Sequence, residues 1–442
     1  MSHHIVILGG GISGLSCAWY LKKHWGSHIK LTILEKSNRL GGWVQTRFHE
    51  GFLFEQGPRS CRSKGAGRAT LQLIEDLGLQ NEVISADPLA KRRYLYTNQK
   101  LQPLPHNLLS WLSSPFLVPL LRAAWRDVRS KPQIADQSVY DFFAKRLGTH
   151  LTNQLVDPLV SGIYAGDMHK LSMQSCFPAL FASQMKEGSL IKGMWKKPLP
   201  STMPSAFVQK MQKSPLFSFK KGMQTLINAL EKQLEATICQ ERYPTQLNIT
   251  AEGIDVVCSD RSVLKADTVI STLPAFALNQ LLPVQQTLWQ QIPYASVVVV
   301  NLGYHTSVNA KKGFGYLIPH LEHERVLGCV WDSNVFSEQQ MAHQTRLTVM
   351  LKEEKGSDPL STALEAIEKQ MGVKVPPDSY QIKMAQRAIP QYMVGHQMLN
   401  ATIHHQIKML SERLVVMGSA FSGVALNDCV KMAEIGATQL RF

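Results

Sequence analysis

The sequence predicts a mixed α/β and α+β protein in three parts: a parallel-sheet domain assembled from separated stretches, a mixed-sheet domain and a helical domain. Three observations lead there. A β-branched strand runs straight into a glycine-rich turn and a helix near the start; short apolar strands alternate with turns between 283 and 404; and residues 108–194 carry a mostly helical pattern. With 442 residues the chain is longer than one ordinary core encloses.

Taken in order, His4-Ile5-Val6-Ile7-Leu8 reads as a buried parallel strand. It meets Gly9-Gly10-Gly11-Ile12-Ser13-Gly14, and Leu15, Ala18, Trp19 and Leu21 then give a helical period. The next strand, Leu31–Leu34, ends on Glu35. Gly9 permits the tight turn, Gly11 lets a pyrophosphate approach the backbone, and Gly14 lets helix and strand pack closely. The helix N-terminus offers free N–H groups and the positive end of its dipole to phosphates. Glu35, 21 residues after Gly14, is placed to accept hydrogen bonds from a ribose diol. A lone glycine turn is weak evidence. Here strand, turn, helix, strand and acid fall in register, which makes a Rossmann-like dinucleotide site.

Further along, Met223–Leu234 reads as a helix, Ala266–Pro274 as a buried strand with a proline stop, and Arg413–Gly418 as a strand leading into a second helix. The cofactor domain is therefore expected to be discontinuous, over 1–86, 222–282 and 405–442. Val297–Leu302, Gly315–Ile318, Val326–Trp331 and Leu347–Leu351 suggest an antiparallel sheet, placing the second domain at 87–107, 195–221 and 283–404. The helical domain takes 108–194.

Leu101–Leu121 carries no Lys, Arg, Asp or Glu and includes Trp111, Leu112, Phe116, Leu117 and Val118. Pro103, Pro105, Pro115 and Pro119 argue against a membrane span. With Arg122, Arg126, Arg129 and Lys131 following, the stretch fits an anchor seated on an anionic membrane surface, with a buried helical subdomain as the competing reading. The net charge is +14, and residues 89–221 hold 19 Lys and Arg against 6 Asp and Glu. Such a lobe wants nucleic acid, anionic lipid or a carboxylate-bearing substrate. Its aromatics sit in apolar runs and do not interleave with Lys and Arg, which disfavours nucleic acid. The seven cysteines are scattered, with no CxxC pair and no histidines at ligand spacing, so reduced thiols and no metal are expected. No secretory leader precedes the first strand, so the expected location is cytoplasmic, attached peripherally to the cytoplasmic or an inner membrane.

Beyond Glu35 and Lys36, the string Arg39-Leu40-Gly41-Gly42-Trp43 resembles the FAD-linked amine-oxidase and phytoene-desaturase superfamily. Gly57-Pro58-Arg59-Ser60 stands at the spacing that superfamily uses beside the isoalloxazine ring. Gly418, Ser419, Val424, Ala425 and Leu426 resemble its second flavin motif, where a helix N-terminus faces the electron-accepting end. The resemblance implies FAD. More narrowly, the chain resembles the oxygen-dependent protoporphyrinogen oxidases, through Arg93-Tyr94-Leu95-Tyr96, Ser161–Asp167, Ser175–Pro178, Gly313–Pro319, Ile389–Tyr392 with Gly395-His396, and Gly423–Cys429. These strings lie in family order from end to end.

That resemblance implies a porphyrinogen substrate, with hydride passing from the macrocycle to the flavin and on to dioxygen, giving hydrogen peroxide over three rounds. It implies Arg93 as a propionate anchor, Leu317, Val330 and Met350 around the rings, Phe314 as an aromatic wall, and Gly162 and Ala165 packed close to the substrate. By composition alone, Arg93 also reads as a solvated member of Lys91-Arg92-Arg93, and the apolar positions read first as ordinary core. Coproporphyrinogen III oxidation stays open, since four propionates would suit the basic lobe. A flavin amine oxidase is a further alternative, although Phe421 is its single plausible cage aromatic. A homodimer is also left open.

Overall fold

The structure is a computed structural model that describes residues 2–106, 110, 114, 116–195, 203–282, 287–309, 311–354 and 356–441. Trp111, Leu112 and Pro115 of the apolar stretch lie outside the described residues. His3–Leu8 sits centrally in a five-stranded parallel sheet, ordered Thr237–Cys239, Ile29–Leu34, His3–Leu8, Thr268–Ser271 and Leu414–Val416. Because all five run the same way, their C-terminal ends share one edge, and Gly9, Thr272 and Gly418 follow strands there. Ile5–Leu8 and Thr268–Ser271 are buried at every position, as a sheet covered on both faces requires.

Ile5 and Ile7 turn to one face, against helices Ile12–Trp25 and Leu426–Gln439, which pack on each other. Val6 and Leu8 turn to the other, toward the antiparallel meander Pro244–Ile249, Ile254–Cys258, Val263–Ala266 and helix His396–Leu410. Two expected boundaries move. Leu216–Phe219, assigned from sequence to the mixed-sheet domain, pairs with Cys61–Arg62 and Val83–Ser85. Phe217 and Phe219, with Val208 and Met211, bury in the parallel-sheet core, and that burial decides their allegiance. Position 405 falls inside the continuous helix His396–Leu410, where Ile403 and Ile407, one turn apart, bury in the core on the other face of the parallel sheet.

A seven-stranded sheet follows the order Ser379–Pro390, Tyr294–Tyr304, Thr345–Lys352, Val326–Val330, Gly315–Leu317, Tyr94–Thr97 and Lys100–Pro103. Its pairs are antiparallel except for Gly315–Leu317 beside Tyr94–Thr97. One face buries Val298, Val300, Tyr316, Cys329 and Val349 against helix Pro359–Met371. By strand alternation, the other face carries Val299, Leu317, Val330, Thr348 and Met350 toward the cofactor domain. Asn301 Nδ2 donates to the Glu55 carbonyl at 3.1 Å and Arg346 to the Leu53 carbonyl at 2.6 Å, fixing that approach.

Helices Leu117–Val128, Val139–Leu147, Asp157–Tyr164 and Pro178–Glu187 form the third part. Phe142, Val160, Tyr164, Met173 and Phe181 make its core. Arg146, fully buried, donates to Asp127 at 2.6 Å and to Gln184 at 2.9 Å. Among the described residues no helix is long and apolar enough to cross a membrane.

Candidate active site

The glycine turn is built as a close-packed corner. A Cβ on Gly14 would stand 2.0 Å from the Gly9 carbonyl oxygen, and one on Gly9, at φ +102°, would meet Thr272 Oγ1 at 2.8 Å. Gly11 differs: the nearest atom to a Cβ there is 3.9 Å away, so its surface is open. Gly11 also caps helix Ile12–Trp25 with no side-chain bond and no acid in the first turn, which leaves N–H groups of the helix's first turn for an anion. Ser13 is buried and Ile12 packs on the core. Glu35, just past its strand, accepts from Gly10 N–H, Ser37 N–H and Ser37 Oγ, each at 2.8 Å, so its carboxylate is fixed beside the turn.

Gly41 bridges to Gly11, and its N–H donates to the Gly10 carbonyl at 2.8 Å, laying the second glycine pair along the first turn. Arg39 bonds the Leu40 and Val44 carbonyls at 3.1 Å each, and that of Gly42, so it shapes its own loop. A Cβ on Gly57 would lie 1.9 Å from the Trp43 carbonyl, which ties Gly57-Pro58 to that loop. Beyond Pro58 and ahead of Ser60, Arg59 is buried and pairs with Asp332 at 3.3 Å. Gln56 Nε2 and one Arg59 terminal nitrogen are buried donors with no partner among the described residues.

From the C-terminal side, Gly418 packs on Thr272, the residue that also touches Gly9. Ser419 and Ala425 flank the turn that leads to helix Leu426–Gln439. The Leu426 side chain is buried in the core and that of Val424 packs on the helical cluster, which leaves their backbone to line the turn. Lys36 lies over the Tyr243 ring at 5.1 Å, a cation–π contact on the neighbouring loop.

The opposing wall comes from the seven-stranded sheet. Leu317 pairs with Gly328 and Gly328 with Met350, so those side chains share one face, and Val330 follows two residues on. Helix Asp157–Tyr164 closes on this face: a Cβ on Gly162 would meet Leu317 Cδ2 at 2.8 Å. Ala165 ends that helix in a left-handed conformation, φ +48°. Asp157 holds the two together by accepting from the His320 N–H and Nδ1, both at 2.7 Å. Phe314 and Val330 pack on one small apolar cluster, and the Arg93 guanidinium lies 5.2 Å from the Phe314 ring centroid. Leu317, Val330 and Met350 thus share one sheet face, with Gly162 packed on Leu317 and Arg93 beside Phe314 at its edge.

Sequence reasoning missed Arg62. It pairs across strands with Leu216, which belongs to the cluster under Phe314 and Val330, so Arg62 stands near the same edge. Desolvation, and then the Arg62 charge, lower the Arg93 pKa. Among the described residues neither guanidinium has an ion pair. No local pattern reveals Arg62; strand pairing alone brings it there. Beneath the Gln56–Arg59 loop, Glu55 is buried, and burial pushes its pKa up to about 7 against the Met223 N–H, the Thr46 hydroxyl and nearby Arg59 and Arg346.

The parallel-sheet crevice with its paired glycine turns defines a dinucleotide-binding oxidoreductase, and the chain belongs to the flavin-containing amine oxidoreductase family, which matches residues 12–382. Protoporphyrinogen oxidase of Bos taurus is 34% identical over 478 residues, covering 100% of this chain and 98% of that protein. Coproporphyrinogen III oxidase of Bacillus subtilis is 28% identical, covering 98% and 96%. A crystal structure from Exiguobacterium superposes with TM-score 0.83 at 24% identity, covering 99% of this chain and 98% of that one, which establishes the shared fold. The cofactor is FAD. The crevice fits it through the open Gly11 surface, the fixed Glu35 carboxylate and the unpartnered Gln56 and Arg59 donors. Phe421, the lone candidate for an amine-oxidase cage, is buried in the core.

Proposed function

We propose that the protein oxidises protoporphyrinogen IX to protoporphyrin IX in haem biosynthesis, with dioxygen as acceptor. The observation carrying this reading is an apolar wall of Leu317, Val330 and Met350 with Gly162 packed on Leu317, and beside it two guanidiniums that have no ion pair among the described residues. A tetrapyrrole macrocycle with carboxylates on one side has that pattern of apolar body and anionic edge. Bound FAD supplies the hydride-accepting chemistry and its reoxidation by dioxygen. The chain's residues orient and exclude: Gly162 and Leu317 set the slot width, Asp157 holds them, and Arg93 and Arg62 bind carboxylate.

The test is an aerobic assay of the yellow holoenzyme with protoporphyrinogen IX and coproporphyrinogen III side by side, following porphyrin fluorescence and peroxide. Faster turnover of the tetracarboxylate overturns the substrate assignment. No turnover of either overturns the reaction.

We further propose peripheral attachment to an anionic membrane through helix Leu117–Val128. Val118, Leu121, Trp125 and Val128 recur at helical spacing and are 55%, 63%, 63% and 42% exposed, an apolar stripe facing solvent. Arg122, Arg126 and Arg129 accompany it, Arg129 lying 4.0 Å from the Trp125 ring centroid, and such cations favour anionic headgroups.

A further inference from the structure

Tyr392, two residues beyond the long strand Ser379–Pro390, reaches into the turn that follows Gly418. Its hydroxyl donates to the Ser419 carbonyl and accepts the Gly423 N–H at 2.8 Å. Those two backbone groups stand four residues apart, the spacing at which a continuing α-helix would bond them directly. The phenol is therefore inserted into what would be a helical hydrogen bond. It holds the turn open just where Gly423, at φ +117°, redirects the chain into Val424, Ala425 and helix Leu426–Gln439. Asn400 Nδ2 fixes the same turn from another side, donating to the Phe421 carbonyl at 2.8 Å. His396 stacks on the Tyr392 ring, centroids 4.2 Å apart and planes 18° off parallel, and both are buried.

The adjacent side chain points to the other half of the site. Gln391 Nε2 donates at 2.8 Å to the carbonyl of Tyr164, the last residue of the helix that carries Gly162. Gly166 lies so close to Gln391 Oε1 that a Cβ there would stand 2.1 Å away.

We propose that Tyr392 is a positioning residue that sets the loop 418–425 against the flavin, and that Gln391 beside it holds the substrate-facing helix in register with that loop. The loop leaves the C-terminal edge of the parallel sheet beside Gly9 and Thr272, the edge where a dinucleotide lies. The proposal rests on the porphyrinogen reading for its Gln391 half alone. Removing the Tyr392 hydroxyl lets the Ser419 carbonyl and Gly423 N–H close on each other, so the expected result is a moved loop in a folded protein.

The experiment uses purified holoenzyme and the variants Tyr392→Phe and Gln391→Leu. Tyr392→Phe should shift the visible flavin absorption bands and raise the FAD dissociation constant about fivefold, the worth of one net hydrogen bond. A wild-type spectrum and FAD affinity, whatever happens to the melting temperature, overturn the role of Tyr392. Gln391→Leu should raise KM for protoporphyrinogen IX severalfold with the flavin bands unmoved; an unchanged KM overturns its half. The flavin readouts involve no substrate. A wild-type enzyme that holds FAD yet leaves porphyrinogens untouched thus defeats the proposed reaction and the Gln391 half, while Tyr392 is still judged by its spectrum.

Discussion

The Arg62 charge acts on Arg93, and among the described residues neither has an ion pair, an arrangement that self-repulsion disfavours unless an anion joins them. Arg93→Ala should raise KM for protoporphyrinogen IX about tenfold or more with kcat little changed, because uniform binding energy is lost. Arg62→Gln should act in the same direction. With the dimethyl ester of the substrate both effects should vanish; a KM increase that survives esterification would show that the arginines support the fold instead. Glu55 offers a different test. Its pKa is raised in the folded protein, so the folded state holds the proton more tightly than the unfolded chain. Stability should therefore fall as pH rises from about 4.5 toward about 7. Glu55→Gln keeps an acceptor for the Met223 N–H and should flatten that decline, read as melting temperature against pH.

At the level of elements, the buried Asp127–Arg146 pair joins helix Leu117–Val128 to helix Val139–Leu147. Burial acts to raise the Asp127 pKa, but hydrogen bonds from Ser189, the Ile191 N–H and Arg146 hold it below the ordinary carboxylate value. Its contribution is present above the unfolded carboxylate pKa and lost as pH falls through the lowered one. Arg146→Met should cost about 3–5 kcal/mol near neutral pH by stranding the acid. A melting temperature unchanged from wild type would contradict that. The strands of both sheets were legible where β-branched runs are buried on both faces or alternate cleanly, as at Ile5–Leu8 and Val297–Leu302. Ser379–Pro390 escaped notice because it is an edge strand whose Gln381, Lys383, Gln386 and Arg387 dilute the apolar signal. The glycine turn and Glu35 were legible because backbone geometry demands those residue types. Arg62, Tyr392 and Asp157 act through contacts between distant segments, which no local spacing encodes.

For the whole molecule, the site lies where all three parts meet: the glycine turns of the parallel sheet, the wall of the mixed sheet and the Gly162 helix. The exposed stripe on Leu117–Val128 belongs to the part that also supplies Gly162. Leu121→Ser with Trp125→Ser should abolish flotation with vesicles containing anionic lipid while leaving turnover of detergent-dispersed substrate intact. Flotation equal to wild type would remove that helix from the membrane contact.

The order of strands in the parallel sheet has a consequence for biogenesis. Its edge strand Leu414–Val416 pairs with Thr268–Ser271 and the helix Leu426–Gln439 packs on helix Ile12–Trp25, yet both are translated well after those partners. A nascent chain paused anywhere before them has its glycine turn but only one of the two helices that enclose the crevice. FAD that binds the folded chain in preference to the unfolded one should draw the folding equilibrium forward by mass action. The steady-state amount of this protein in a cell should follow its riboflavin supply.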